Sequence, residues 1–224
     1  MVPRPAPASL SPPDSPLWRL LLVWMAAAAL AAPLGILLHE AAHVLTALAF
    51  GFDQPTLHFA SSGYARSDAF WDALNAGSGE AAAAVYPVAQ AGLVAFAGVA
   101  ATWVLSAAAA GAAPRVGLRS FGGAALAACA LTAGARTLAC VIFLVSVRPR
   151  YPDATPNFDE FRASVALGMP VEALVLVGLG ITAACWAYIL PRIERPRWAV
   201  LVGLATGFAG GLALWMTIGP HLLP

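Results

Sequence analysis

Charged residues are scarce in this chain: Asp, Glu, Lys and Arg make up only 10% of its 224 residues, against about a quarter in soluble domains. Lysine is missing altogether, so all twelve basic residues are arginine, and the formal net charge is +1 with no basic run. That excludes the electrostatic footprint of a nucleic-acid-binding protein. Cysteine is nearly absent too. Cys129, Cys140 and Cys185 are odd in number and lie inside apolar runs, so they build neither a disulfide framework nor a thiolate cluster of the CxxC type. Only four histidines occur, His39, His43, His58 and His221, too few for the histidine-rich di-iron centres of membrane oxidases.

What is abundant is apolar sequence. The set AVILMFWYC supplies 60% of the chain and the mean hydropathy is +0.78. The apolar residues fall in runs long enough to cross a bilayer of about 30 Å, so a water-soluble globule is excluded and an all-α polytopic membrane protein is expected. Residues 1–15 are proline-rich without a helical period and read as a disordered tail. Residues 16–224 read as a single transmembrane domain with five spans, at about 16–50, 81–110, 121–147, 170–190 and 198–218. Ser15 and Pro16 read as the cap and first residue of the opening helix, Gly51 as its stop, and Pro33 with Gly35 as a bend. The acidic stretch 52–80 reads as interfacial: a short hairpin over residues 54–64, then Phe70, Trp71 and Leu74 resting on the membrane surface. Gly203, Gly207 and Gly211 form a flat face at four-residue spacing, for packing within the chain or between chains.

The chemistry lies in GILLHEAAHVLTALAFG, which contains His39-Glu40-Ala41-Ala42-His43. Residues four apart share a helix face, so both imidazoles can hold one metal ion while Glu40 accepts a proton from water activated there. Ionisable groups deep in a span cost about 2.5–3.5 kcal/mol each on insertion scales and usually have a functional reason. The alternative is a helix that has already left the bilayer, with the three side chains simply wetted. Two histidines leave zinc short of a third protein ligand. The loop after the third span ends on the same side and offers Asp153, Asp159 and Glu160. Asp159 is preferred, because Phe158 and Phe161 flank it and can press it against the bundle. Asp159 and Glu160 equally suit the positive end of a short helix, and His58 is a further candidate.

At these residues the chain resembles the site-2 protease family of intramembrane zinc metalloproteases. The resemblance implies His39 and His43 as zinc ligands, Glu40 as catalytic base, and a β-hairpin after the glycine that ends the motif helix. It is strongest at the first motif. Gln90-Ala91-Gly92 loosely matches the small-residue signature of the next core span, and Asn157-Phe158-Asp159-Glu160 matches the third motif without its Pro and Gly.

Three residues are candidates for a supporting shell. Arg136 sits mid-span, where a guanidinium must face protein or water; pairing with Asp159 or Glu40 and a purely structural role are both open. Gln90 suits a substrate backbone or an interhelical contact, and Glu160 stands beside the preferred ligand. The expected activity is hydrolysis of a peptide bond in or next to a membrane-embedded substrate, with Zn2+ as cofactor and the lipid bilayer as surroundings. The alternative is a catalytically inactive metal-binding scaffold or transporter-like protein. Arginine counts in the loops, seven against four, put the N-terminus in the cytoplasm and the motif outside; the family resemblance implies a site open to the cytoplasm. All-arginine usage points to a GC-rich genome and so to a bacterial cytoplasmic membrane.

Overall fold

The computed structural model describes residues 16–151, 156–193 and 196–223. The proline-rich stretch 1–15, Ser15 and Asp153 therefore lie outside the described residues. The elements run α1 (Leu17–Ala49), β1 (Thr56–Leu57), β2 (Ser62–Gly63), α2 (Ser67–Asn75), α3 (Gly79–Ala83), α4 (Val88–Val116), α5 (Phe121–Thr132), α6 (Gly134–Ile142), α7 (Asp159–Leu167), α8 (Val171–Ile189) and α9 (Arg197–Leu222). Five helical stretches are long and apolar enough to cross a membrane, namely α1, α4, the α5–α6 run through Val147, α8 with the 3-10 turn after it, and α9. The protein is an all-α, multi-pass membrane protein whose only strands among the described residues are the antiparallel pair β1–β2.

Helix α1 runs unbroken through Pro33 for 33 residues, with Pro16 as its cap residue. Gly51 ends it as expected: its φ is +72°, its N–H bonds to the Leu48 carbonyl, and the Phe52 N–H reaches back to Ala47. That pair of bonds satisfies two of the last orphan carbonyls. The second span starts later than its apolar pattern suggests. Pro87 caps α4, and residues 79–83 form a separate short helix, because a proline cannot continue the hydrogen-bond ladder of the turn before it. The third span is also divided. It breaks at Ala133 between α5 and α6, and ends in a π-helical turn over Phe143–Val147.

Small residues dominate the interhelical core. Ala27, Ala28, Ala31, Ala110, Ala124, Ala127 and Ala128 are buried together with Trp24, Ile189 and Val200, which lets backbones approach closely in a setting where packing rather than hydrophobicity holds helices together. The glycine face of α9 lies against α1. A Cβ at Gly207 or Gly211 would stand 2.1 Å or 2.2 Å from the carbonyl oxygen of Met25 or Ala29, so this face is an internal contact.

Phe70 and Trp71 are buried rather than resting on the membrane surface, packed with Tyr86, Val94 and Ala163 while Leu74 flanks them. With Phe52, Tyr64 and Tyr86 close by, inward burial removes more aromatic area from water than an interfacial position would. The hairpin is pinned at its tip. The Phe59 N–H donates to the Leu223 carbonyl at 3.1 Å, the Trp215 indole donates to the Phe59 carbonyl at 2.7 Å, and Gly219 leaves room for the Phe59 ring. Helix α7 docks on α4 where Gly92 stands; a Cβ there would meet Leu167 and Ala166 at 2.8–2.9 Å.

Candidate metal centre

His39 and His43 sit one turn apart on the inward face of α1, and both are buried. His43 lies six residues before the last residue of α1, roughly 9 Å along the axis at 1.5 Å per residue. Asp159 opens α7, held there by Phe158 and Phe161, which pack against Phe143. Its Oδ2 stands 2.8 Å from His39 Nε2 and 3.1 Å from His43 Nε2, and the two Nε2 atoms are 3.2 Å apart. Ligand atoms about 2.0–2.1 Å from a tetrahedral zinc stand about 3.4 Å from one another. The triangle matches that spacing after a small relaxation.

The proton positions implied by the surrounding hydrogen bonds make the fit sharper. His43 Nδ1 is 2.6 Å from the Val94 carbonyl, which can only accept, so Nδ1 carries the hydrogen. His39 Nδ1 is 2.9 Å from Thr102 Oγ1, and that hydroxyl already donates to the Gly98 carbonyl. It must therefore accept from His39. In their neutral forms both rings thus turn a lone pair toward the Asp159 carboxylate. Three electron-rich atoms facing one another repel unless a positive charge sits among them, either a proton or a metal ion.

Burial alone would raise the Asp159 carboxyl, but imidazoles that carry a proton on Nε2 and donate it to the carboxylate, together with the Arg136 guanidinium, outweigh that and hold it well below the usual carboxylate range. Arg136, on α6, contacts Asp159 Oδ2 with one terminal nitrogen and brings Nε to 3.5 Å from Glu160 Oε2. Glu160 is buried, and among the described residues neither its Oε2 nor Arg136 Nε finds a partner within hydrogen-bonding geometry. Glu160 faces the arginine rather than the histidine pair, so it is placed behind the cluster.

Glu40 is buried, and its Oε2 accepts a hydrogen bond of 2.8 Å from Ser62 Oγ on β2. It stands between two cavities. One, of about 150 Å³, is polar and shared by Glu40, His43, Ser62, Tyr64, Arg136, Asp159 and Arg162. The other, of about 270 Å³, is apolar and runs between α1, α4, α5 and α9 past Ile36, Leu105, Cys129 and Phe208. Gln90 lines neither. His58 and His221 are not part of the cluster, and His221 is exposed near the end of α9.

Several residues that build this centre escaped sequence reasoning. Gly98 is one: a Cβ there would stand 2.3 Å from His43 Nε2 and 2.8 Å from His39 Nε2. Thr102 had a legible signal, as one of few polar residues in its span. The Val94 carbonyl had none, since a backbone acceptor leaves no mark in sequence.

Fold and cluster together define a multi-pass helical membrane protein in which His39, His43 and Asp159 can hold a metal ion. No family model, no curated protein and no solved structure matches the chain.

Proposed function

We propose that this protein is an intramembrane zinc metalloprotease of the site-2 protease type, hydrolysing a peptide bond in or beside the membrane. The observation that carries the reading is the convergence of two imidazole lone pairs and one carboxylate oxygen next to Glu40, a carboxylate that ligates nothing in the cluster. His39, His43 and Asp159 would hold the ion. Zinc bound there supplies Lewis acidity that makes water nucleophilic near neutral pH.

The rest follows from the chain itself. Thr102 and the Val94 carbonyl fix the two rings in the ligating tautomer. Arg136 keeps Asp159 ionised and aimed. Glu40, steadied at one oxygen by Ser62, keeps the other free to take the proton of the attacking water and hand it to the leaving amine. A helical substrate hides its carbonyls in its own hydrogen bonds and must unwind before attack. The apolar cavity beside Glu40 suits the greasy side chains of such a segment, and the polar cavity admits water.

The test is zinc stoichiometry together with cleavage of a transmembrane-peptide library, read by mass spectrometry on the purified protein. Glu40→Gln is expected to keep zinc and lose turnover by about 10²–10⁴-fold. His39→Ala is expected to lose both. Full retention of cleavage in Glu40→Gln, or wild-type protein that takes up no divalent ion, overturns the reading; wild-type protein that binds the ion but cleaves nothing leaves a metal-binding membrane scaffold or transporter-like protein.

A further inference from the structure

The polar cavity holds one charged group that neither the metal cluster nor the proton chemistry uses. Arg162 lies three residues after Asp159 on α7, one turn along the same face, and both line the cavity. Its guanidinium sits over the ring of buried Trp71, 5.2 Å from the centroid. No carboxylate among the described residues pairs with it. The arginine beside the cluster behaves differently, since Arg136 is engaged by both Asp159 and Glu160. A partly buried guanidinium stacked on an indole is steered by the ring, and its fork of donors is taken by no acceptor among the described residues.

A second observation marks the same end of the cavity. Tyr64 Oη also lines it and is buried; the Trp71 indole N–H is a donor near it, and no acceptor among the described residues takes its own proton. A hydroxyl and a guanidinium without acceptors, side by side, form a receptor for an anion that brings its own oxygens. The charge balance agrees. Glu40, Asp159 and Glu160 against Arg136 and Arg162 leave one negative charge in and behind the cavity, so a divalent ion at the histidine pair leaves the loaded site positive. The size sets the reach. A cavity of about 150 Å³ takes a single group about as large as benzene, so an anion on Arg162 belongs to the residue at the cluster or to its immediate neighbour.

We propose that Arg162, with Tyr64, binds a carboxylate of the substrate within one residue of the hydrolysed bond. This makes the protein selective for an acidic side chain or a free C-terminus at that position. The carboxylate site stands on Arg162, Tyr64 and Trp71, and only the word hydrolysed rests on the function proposed above. Planar geometry favours a carboxylate: the guanidinium fork matches its two oxygens with two parallel donors.

The experiment separates the two. Binding of three probes to full-length Glu40→Gln protein in nanodiscs is measured by calorimetry: N-acetyl-Ala-Ala with a free C-terminus, the same dipeptide as its amide, and N-acetyl-Ala-Asp amide. A carboxylate probe is expected to bind about tenfold or more tightly than the amide, the factor carried by one charge-assisted hydrogen bond. The free-acid and Asp probes tell a C-terminal carboxylate from a side-chain one. Adding Arg162→Gln is expected to bring all three to the affinity of the amide, with zinc content and helical circular dichroism unchanged, and Arg162→Lys to retain part of the preference. Equal binding of acid and amide overturns the proposal. So does a preference that survives Arg162→Gln, because the carboxylate would then be sitting on the metal or on Arg136. Carboxylate-selective binding in a protein whose wild type cleaves nothing keeps the site and removes the hydrolase, whereas cleavage indifferent to carboxylates does the reverse.

Discussion

Gly98 on α4 lies directly under His43 of α1: a Cβ added there would come within 2.3 Å of the imidazole Nε2. The absence of a side chain at this one position lets the second span approach close enough for Thr102 and the Val94 carbonyl to hold the two rings. Gly98→Ala is therefore expected to push the imidazoles off the Asp159 oxygen. Metal affinity should fall by at least about tenfold, the low end for a lost outer-shell contact, while the protein still inserts and stays helical. Competition with a chelator measures it, and an unchanged affinity would mean that the rings do not bind there.

Thr102 acts at the far side of the other ring. Thr102→Val removes the acceptor for the His39 Nδ1–H while keeping the shape of the side chain, so His39 is freed to take the wrong tautomer. The expected loss in metal affinity is about 10–100-fold, and Thr102→Ser should restore most of it. A valine variant that binds metal as tightly as wild type contradicts the tautomer assignment.

Arg136 neutralises two acids at once, and one of them, Glu160, is 3% exposed. Removing one partner of a buried ion pair costs about 3–5 kcal/mol, chiefly through the charge left behind. Arg136→Met is expected to lower the thermal midpoint in detergent clearly. Combining it with Glu160→Gln should recover a large part of that loss, since the stranded charge is then gone. A double variant as unstable as the single one would show that the arginine acts through packing.

The Tyr64 phenol supplies a pH dependence. Burial pushes its pKa up to about 12, against the opposing pull of the Arg162 charge and the Trp71 indole, whereas the unfolded chain has about 10. The folded state holds this proton more tightly. Its contribution is thus fully present below about pH 10 and is lost as pH rises toward 12. Unfolding followed across that window should show stability declining, with a shallower decline in Tyr64→Phe. Identical slopes for the two proteins would place the hydroxyl in water.

Much of the molecule could be read from its residues. Five spans follow from composition, because a bilayer about 30 Å thick imposes a run length that apolar sequence either meets or fails. The stop at Gly51 follows from the left-handed backbone that glycine permits. The geometry of His39 and His43 follows from helical pitch alone. The site is legible in sequence to the extent that one helix builds it.

The tertiary structure decided everything that crosses between helices. The position of Asp159 against the imidazoles depends on how α7 packs on α4 at Gly92. The inward burial of Phe70 and Trp71 depends on neighbours from other elements, such as Tyr86, Val94 and Ala163, which lie 15 or more positions away, and the division of the third span on where helices meet rather than on its apolar run. The identity of the ring-holding acceptors depends on a backbone carbonyl and on a hydroxyl 63 residues from the ring it holds. Periodicity within a segment reports which face is apolar, since that is a property of neighbours along the chain. It carries no information about which face of another segment will meet it, because that is settled by close packing among all of them at once.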